Sequence, residues 1–199
     1  MNTASPYRQF TWAAVALAAM LTACGCGSDT STVVVQPVPP VTPTTPTVVV
    51  GSAAGVLSDA PVQGVAFTAA PSGAAGTTNA LGQYTYNPGD TVTFKLGALT
   101  LGSTTARATV TPVALAGGSA DKLQNLLVLL QSLGSAGVAS DGMTITAASA
   151  AAVSASIDLA LAPASFASSA NTGLVAAMAA GGISRAITST TAAEAHFLE

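Results

Sequence analysis

Charged side chains are scarce in this chain. Five basic and eight acidic residues make up 7 % of the sequence, whereas about 25 % is typical of globular proteins. The formal net charge is only −3, which excludes the large basic surfaces that bind nucleic acid or anionic lipid. With one histidine and two cysteines, the chain also has too few ligands for a tetrahedral metal site and too few thiols for a disulfide scaffold.

Residues that could act in catalysis are equally few. His196 is the only histidine, and no G-x-S-x-G motif accompanies it, so the parts of a Ser–His–Asp site are not assembled. Four aspartates, Asp59, Asp90, Asp121 and Asp158, stand singly in predicted turns or on predicted helix faces. We therefore interpret His196 as a packing or capping residue and the aspartates as turn formers or solvated side chains. The sequence predicts no catalytic residue and no cofactor.

Two other patterns were weighed as ligand sites. Tyr84 and Tyr86 are two apart on a predicted strand and so face the same side. They could form a stacking surface for a ligand, but core or rim packing is the favoured interpretation. Residues 133–146 contain a single acidic residue, Asp141, while calcium takes six to eight oxygen ligands, several of them from carboxylates. We predict no metal site.

The N-terminal 23 residues have the pattern of an export signal. Arg8 provides a positive charge, and residues from Phe10 to Leu21 are almost all apolar or small. A run of about a dozen residues is too short for a transmembrane helix, which needs about 20. Its length and position are typical of the apolar region of a signal peptide, and less of a buried core helix. The sequence predicts a signal peptide over residues 1–23.

The apolar run ends in Leu21-Thr22-Ala23-Cys24. This tetrapeptide resembles the lipobox of bacterial lipoproteins. The resemblance implies recognition of Leu21, Thr22 and Ala23 by the signal peptidase and cleavage before Cys24. It also implies a diacylglycerol on the Cys24 thiol and a further acyl chain, such as palmitate, on the new amino terminus. Because two or more acyl chains anchor a protein stably, we expect attachment to a bacterial cell membrane through lipid at Cys24.

The residues beside Cys24 refine this expectation. Cys26 fits the lipobox less well, since Ala23 would then stand at position −3, and we interpret Cys26 as a bystander. In similar enterobacterial lipoproteins an aspartate after the acylated cysteine retains the protein at the inner membrane. Gly25 stands at this position here, so the resemblance favours the outer membrane.

Residues 24–50 are predicted to form a disordered tether. The stretch from Gln36 to Thr47 has five prolines in twelve residues. Proline favours extended polyproline II at about 3.1 Å per residue, so the stretch would reach roughly 35 to 40 Å. A spacer that holds a domain away from the membrane is favoured over a P-x-x-P ligand.

Residues 51–116 have the pattern of short strands between turns. Predicted strands cover Ala54–Leu57, Val62–Ala69, Gln83–Tyr86, Thr91–Leu96, Leu99–Leu101 and Ala108–Val113. The segment Thr91–Leu96 alternates apolar and polar residues, as a half-buried strand does. Strands at this spacing predict a small antiparallel β-sandwich.

The segments "GVLSDAPVQGVAF" and "GTTNALGQYTY" resemble the carboxypeptidase-regulatory, or prealbumin-like, family of β-sandwich modules. The continuation "NPGDTVTFKLGALTLG" is similar to a module of bacterial surface lipoproteins. The resemblance covers about 60 residues and implies an Ig/prealbumin-like sandwich. Its motifs are glycines and a turn, so it implies no catalytic residue.

Residues 117–199 are predicted to be α-helical, which makes the chain α+β. In the first helix Leu123, Leu126, Leu127, Leu130 and Leu133 share one face, with Ser119 as N-cap and Gly134 as the C-terminal stop. Further helices are predicted over Thr146–Leu161 and Thr172–Ala180. A capping box at Thr191-Ala192-Ala193-Glu194 predicts a last helix.

Three classes of function fit these features. The favoured one is a lipid-anchored extracytoplasmic lipoprotein that acts as a binding or structural module of the cell envelope, with an envelope protein or a glycan as partner and no nucleic acid. The second is the N-terminal piece of a larger lipoprotein, because "AAEAHFLE" ends on a helix. An envelope enzyme is third, since no nucleophile–base pair can be assembled.

Overall fold

Eight of the nine strands in the described residues precede the helices along the chain, as alternating and then 3.6-residue patterns predict. The ninth strand lies between the second and third helices, inside residues 117–199, which were predicted to be helical. The computed structural model describes residues 50–134 and 142–198, all within one unit, Thr45–Glu199. The strands are β1 (Ala53–Leu57), β2 (Val62–Gln63), β3 (Ala66–Ala70), β4 (Ala75–Thr77), β5 (Gln83–Tyr86), β6 (Thr91–Leu96), β7 (Leu99–Thr105), β8 (Thr109–Val110) and β9 (Met143–Thr144). The helices are α1 (Pro112–Ala116), α2 (Ala120–Leu133), α3 (Ala147–Ala152), α4 (Pro163–Phe166), α5 (Thr172–Ala180) and α6 (Thr190–Phe197). The α+β class is confirmed.

A four-stranded antiparallel sheet has the order β4-β3-β6-β7. Its central strand β6 has the predicted bounds, and Val92, Phe94 and Leu96 are fully buried on one face. Phe67 of β3 lies opposite Phe94 in the register. The alternation in the sequence therefore predicts this strand and its buried face correctly.

The other strands form a three-stranded sheet, β5-β1-β8, and a two-stranded one, β2-β9. Strand β1 is antiparallel to β5 but parallel to β8. Strand β9 is parallel to β2, with Val62 opposite Met143. The short β2 strand thus pairs with a segment that follows α2 in sequence.

Two predicted strands are shorter than expected. The segment Val62–Ala69 is divided into β2 and β3, because Gly64 has a φ of 93° and interrupts the extended backbone. At the break, the backbone N–H of Val65 donates to the Thr78 hydroxyl. The strand predicted over Ala108–Val113 is limited to β8, since Pro112 begins helix α1, where its missing N–H costs nothing.

Helix α2 confirms the predicted caps. The Ser119 hydroxyl accepts a hydrogen bond from the Lys122 N–H at 3.2 Å, and the helix ends before Gly134. The prediction of one apolar face was too narrow, because Asn125, Val128 and Leu129 are buried as well. The reason is that α2 is surrounded: it packs against α1, α4, α5, α6 and β9.

The later helices differ from the predictions at their ends. The helix predicted over Thr146–Leu161 stops at Ala152. Beyond it, the Ser156 N–H donates to the Ser154 hydroxyl and the Ala160 N–H donates to Asp158. Such local bonds compete with helical ones. Helix α5 has the predicted bounds.

The N-cap of helix α6 lies two residues before Thr191, the first residue of the predicted capping box. Ser189 is its N-cap, and the Ser189 hydroxyl accepts from the Ala192 N–H at 3.2 Å. Glu194 does not close a capping box, since its carboxylate accepts a hydrogen bond from the Gln124 side chain on α2. The interaction between helices replaces the one predicted within α6.

Side chains from the sheets and from the helices belong to one hydrophobic cluster. Strand residues such as Tyr84 and Phe94, and helix residues such as Leu126, Phe166 and Leu174, are its largest fully buried members. The strands and helices of the described ranges therefore stabilise each other by burial of shared apolar surface.

Candidate functional site

The residues predicted to carry the lipid anchor lie outside the described residues. This holds for Leu21, Thr22, Ala23 and Cys24, and also for Cys26 and Gly25. Asp141, weighed above as a calcium ligand, is outside them too. The lipidation site therefore stays a prediction from the sequence.

Within the described residues, the most unusual polar group is the carboxylate of Asp59. Asp59 lies in the turn between β1 and β2, where Ser58 and Pro61 form an isolated bridge. The residue is 6 % exposed, and its Oδ1 is buried without a hydrogen-bond partner. Asp59 is thus a turn residue, as predicted, but the alternative that it is a solvated side chain is wrong. Packing by distant parts of the chain covers it.

In the part of the chain that the structure describes, the single hydrogen-bond partner of the Asp59 carboxylate is on helix α2. Gln131 Nε2 donates to Asp59 Oδ2 over 3.4 Å, and the same nitrogen donates to the Ala193 carbonyl of α6 over 2.9 Å. Burial raises the pKa of Asp59 to about 7, and the Gln131 hydrogen bond opposes this only in part. One amide therefore connects a buried carboxyl group of the β1–β2 turn to the backbone of α6.

The end of α2 near Gln131 carries a second polar contact. Arg185 Nη2 donates to the carbonyl oxygens of Gln131, Ser132 and Gly134, at 2.6, 3.1 and 2.6 Å. These include carbonyls of the last helical turn, which have no partners within the helix. In addition, the Thr188 N–H donates to the Ser132 hydroxyl. The segment before α6 is thus attached to the C-terminal end of α2.

His196 lies in the last turn of α6 and is half-buried. Its Nδ1 atom is buried and has no hydrogen-bond partner. This position agrees with the interpretation of His196 as a packing residue, and no serine, cysteine or carboxylate of the described chain is hydrogen-bonded to it. Its lack of a catalytic role stays a prediction from the sequence.

The remaining aspartates have different environments. Asp158 accepts from the Ala160 N–H at 2.8 Å and is a turn former, as predicted. Asp121 is exposed in the first turn of α2. Asp90 forms a turn too, but it is 2 % exposed and accepts hydrogen bonds from the N–H and hydroxyl of Ser72 and from the Asn87 N–H. The Ser72 hydroxyl is the main cause that lowers the Asp90 pKa.

The tyrosine pair does not form an exposed stacking surface. Tyr84 is 1 % exposed, and its ring lies edge-on to Phe94 at 5.1 Å between centroids. Its hydroxyl donates to the Arg107 carbonyl at 2.5 Å. Tyr86 is half-buried beside it, 5.5 Å away. Core packing for Tyr84 is confirmed.

Surface grooves offer weaker candidates. One of about 400 Å³ is lined by hydroxyl-bearing residues, Asp158 and Asn171. Its polar groups are already used locally: the Ser168 hydroxyl donates to the Ser165 carbonyl, and Asn171 caps α5. A second groove, of about 330 Å³, runs beside α5 and is mostly apolar, with Val175 and Met178 in its wall. Neither groove contains a buried polar group directed at a ligand.

The described residues contain no group of three His, Cys, Asp or Glu side chains that could hold a metal ion. Within the same residues, no helix is both long enough and apolar enough to cross a membrane. Comparisons with protein-family models, with curated proteins and with solved structures gave no significant match.

Sequence reasoning missed the Asp59–Gln131–α6 connection and the Arg185 contacts. A signal was present in Gln131-Ser132, two polar residues between buried leucines in the apolar second half of α2. Polar groups in such a position need partners. Their identity could not be read from the pattern, because Asp59 is 72 positions away in the chain.

Proposed function

We propose that this chain is a lipid-anchored, extracytoplasmic lipoprotein of a bacterial cell envelope, and that its folded part is a binding or structural module. The observation that carries the proposal is Leu21-Thr22-Ala23-Cys24 directly after a short apolar run with Arg8 before it. Diacylation of Cys24 and acylation of its amino group give enough buried methylene groups for stable anchoring.

The position of the folded part supports this arrangement. The first strand begins at Ala53, a few residues beyond the proline-rich stretch Gln36–Thr47. A polyproline II tether between Cys24 and β1 would hold the folded part roughly 35 to 40 Å from the lipid. In this proposal residues 1–23 are the signal, 24–50 the tether, 51–116 the β-domain and 117–199 the helical region.

For the β-domain we propose an Ig/prealbumin-like sandwich of the two larger sheets. Support comes from the aromatic contacts between them: Tyr84 of β5 meets Phe94 of β6 and, at 5.8 Å between centroids, Phe67 of β3. Side chains of facing sheets interdigitate in this way in sandwiches. Nuclear Overhauser contacts between the Tyr84 and Phe94 rings in solution would be expected, and their absence would count against the sandwich.

The anchor is tested by metabolic labelling with a palmitate analogue in a bacterial host. Wild type and Cys26→Ala should be labelled, and Cys24→Ala should not. The Cys26→Ala variant is the matched control, because it removes the other thiol two residues away. Equal labelling of wild type and Cys24→Ala would overturn the proposal, as would loss of labelling in Cys26→Ala alone.

The outer membrane is the proposed destination, because Gly25 replaces the aspartate that causes retention in similar lipoproteins. Fractionation on a sucrose gradient should place the wild type with outer-membrane markers, and Gly25→Asp should shift it toward the inner membrane. A wild type that follows inner-membrane markers, with no change in Gly25→Asp, would contradict the destination and leave the anchor intact.

The task as a binding module is tested with the soluble form, residues 27–199, as bait for glycans and proteins of the cell envelope. Specific retention of one component is the expected result. Hydrolysis of an envelope substrate that His196→Ala abolishes would replace the binding module by an enzyme.

A further inference from the structure

Helix α6 is weakly anchored. Of its eight residues only Ala193 is buried, and the helix packs mainly on α2. The polar contacts across this interface come from two glutamines: Gln124 donates to Glu194, and Gln131 donates to the Ala193 carbonyl. Apart from Ala193 and the half-buried Phe197, which packs against the core, little apolar surface of α6 is buried, so these hydrogen bonds have a large share in its attachment.

Among the described residues, the Gln131 amide is also the one hydrogen-bond partner of the Asp59 carboxylate, over a long 3.4 Å contact. Asp59 Oδ1 is buried and has no partner among these residues. A neutral carboxyl group is tolerated in such a place far better than a carboxylate, which needs several hydrogen bonds or a cation when it is removed from water. Ionised Asp59 would therefore favour a conformation in which water reaches it.

The β1–β2 turn itself is held in place. The Ser58 N–H donates to the Val110 carbonyl, and the Met143 N–H donates to the Pro61 carbonyl. Ala60, next to Asp59, has a φ of 100°, a conformation that an alanine keeps only when its surroundings impose it. Displacing α6 from α2 thus requires less free energy than displacing the β1–β2 turn.

We infer that Asp59 and Gln131 form a pH-dependent latch, which holds α6 on α2 when Asp59 carries a proton and releases α6 when Asp59 is ionised. The charged or titratable groups on the neighbouring elements are Asp121 and Lys122 in the first turn of α2, Glu194 and His196 on α6, and Arg185 before α6. Glu194 is bonded to Gln124, and Arg185 is bonded to carbonyls at the end of α2. The causes that shift the Asp59 pKa are burial and Gln131, and no charged group is among them.

The test is amide hydrogen exchange of the full-length protein at pH 5 and pH 8, corrected for the intrinsic pH dependence of exchange. In wild type we expect amides of α6 to lose protection at pH 8 by a factor on the order of ten or more, as a shift of one pKa unit or more implies. Strand β6 is the internal control: ionised Asp59 also lowers the global stability, so β6 amides lose protection as well, but at both pH values they should need a larger opening free energy than the amides of α6. Equal opening free energies in α6 and β6 would mean that α6 opens only by global unfolding and would overturn the latch.

Two variants distinguish an effect of Asp59 on the protection of α6 from an effect of His196. Asp59→Asn, which mimics the protonated acid, should keep α6 protected at both pH values. His196→Gln is the matched control and should keep the pH dependence of wild type, since histidines in general also change charge between pH 5 and 8. A pH dependence that survives Asp59→Asn and vanishes in His196→Gln would refute the latch.

A measurement on wild type alone covers the case that Asp59→Asn does not fold. In an NMR titration, the Asp59 carboxyl carbon and the Ala193 amide should change with the same midpoint. An Ala193 amide that does not respond while Asp59 titrates would show that the two are not coupled, and would reject the inference.

Discussion

The hydroxyl of Ser72 donates a 2.6 Å hydrogen bond to Asp90 Oδ2, and this bond joins the turn after β3 to the turn before β6. The Ser72 N–H donates to the other carboxylate oxygen at 3.0 Å, and the Asn87 N–H adds a third bond. A carboxylate that accepts backbone and hydroxyl hydrogen bonds satisfies several donors in two loops at once. Asp90 is therefore a link between two turns of the four-stranded sheet.

Replacement of Asp90 should lower the melting temperature. In Asp90→Ala the Ser72 hydroxyl and the Ser72 and Asn87 N–H groups lose their acceptor. In Ser72→Ala the hydroxyl's bond to Asp90 and the weaker 3.3 Å bond that it accepts from the Ala74 N–H are lost, while Asp90 keeps two backbone donors, so the first variant should be the less stable. Asp121→Asn is the control, because Asp121 is an exposed carboxylate in the first turn of α2. Equal melting temperatures for wild type and Asp90→Ala in a calorimetric scan would contradict the proposed link.

The two buried aspartates, Asp59 and Asp90, should affect the free energy of unfolding in opposite ways as the pH changes. Burial raises the pKa of Asp59 to about 7 from a usual value of 3.8, so the folded state binds more protons than the unfolded state between these values. The stabilisation by protonated Asp59 is complete below about pH 4 and is lost as the pH rises through 7. The free energy of unfolding then falls by at most about 4 kcal/mol. For Asp90 the pKa is lowered by Ser72, so its effect is lost as the pH falls below about 4.

We therefore expect maximal stability near pH 4 to 5 and a decline toward pH 8, measured by urea denaturation at each pH. Asp59→Asn should remove the decline above pH 5 and leave the loss in acid. A wild type that is equally stable at pH 5 and pH 8 would show that the Asp59 carboxyl is hydrated in solution.

Much of the fold could be predicted because the signals are local. Strands β5 and β6 have their predicted bounds, since turn residues and strict alternation mark both ends and both faces. The signal for the Ser119 cap was equally local, and helices α2 and α5 follow the predictions. In each case neighbours within four residues decide the conformation.

The predictions failed where the conformation is determined by contacts with distant residues, or by side-chain hydrogen bonds that compete with helical ones. Residues 153–161 have helical composition, but serine and aspartate side chains bond to the nearby backbone and end α3 early. The sequence predicts that Glu194 accepts a hydrogen bond at the N-terminus of its own helix. In the structure it accepts one from Gln124, 70 positions away in the chain. The burial of Asp59 likewise depends on α2. Periodicity contains no information on such pairs.

Ala60 provides a test of local strain. Its φ of 100° lies in the region that favours glycine. Ala60→Gly should relieve the strain but increase the freedom of the unfolded chain, so the net effect on the free energy of unfolding should be between zero and about 1 kcal/mol of stabilisation.

The matched control is Ala66→Gly, at an exposed position in the extended strand β3. There glycine should destabilise by about 0.5 to 1 kcal/mol, because only the entropic cost remains. The urea midpoint of Ala60→Gly should therefore stay unchanged or rise, whereas the midpoint of Ala66→Gly should fall. An equal loss of stability in both would mean that Ala60 is not strained.

Gly55 should tolerate no side chain, because Tyr84 lies across it. The two residues are opposite each other in the β1–β5 register, and the Tyr84 hydroxyl reaches over to the Arg107 carbonyl. A Cβ atom at Gly55 would collide with that carbonyl and with the Tyr84 ring. Since both neighbours are fixed by a hydrogen bond and by the aromatic core, Gly55→Ala should destabilise by about 1 to 3 kcal/mol.

Ala54→Ser, one position away and exposed, should stay within about 0.5 kcal/mol of wild type. Denaturation curves of the two variants measure the difference, and a Gly55→Ala protein as stable as Ala54→Ser would show that the ring of Tyr84 does not occupy this place.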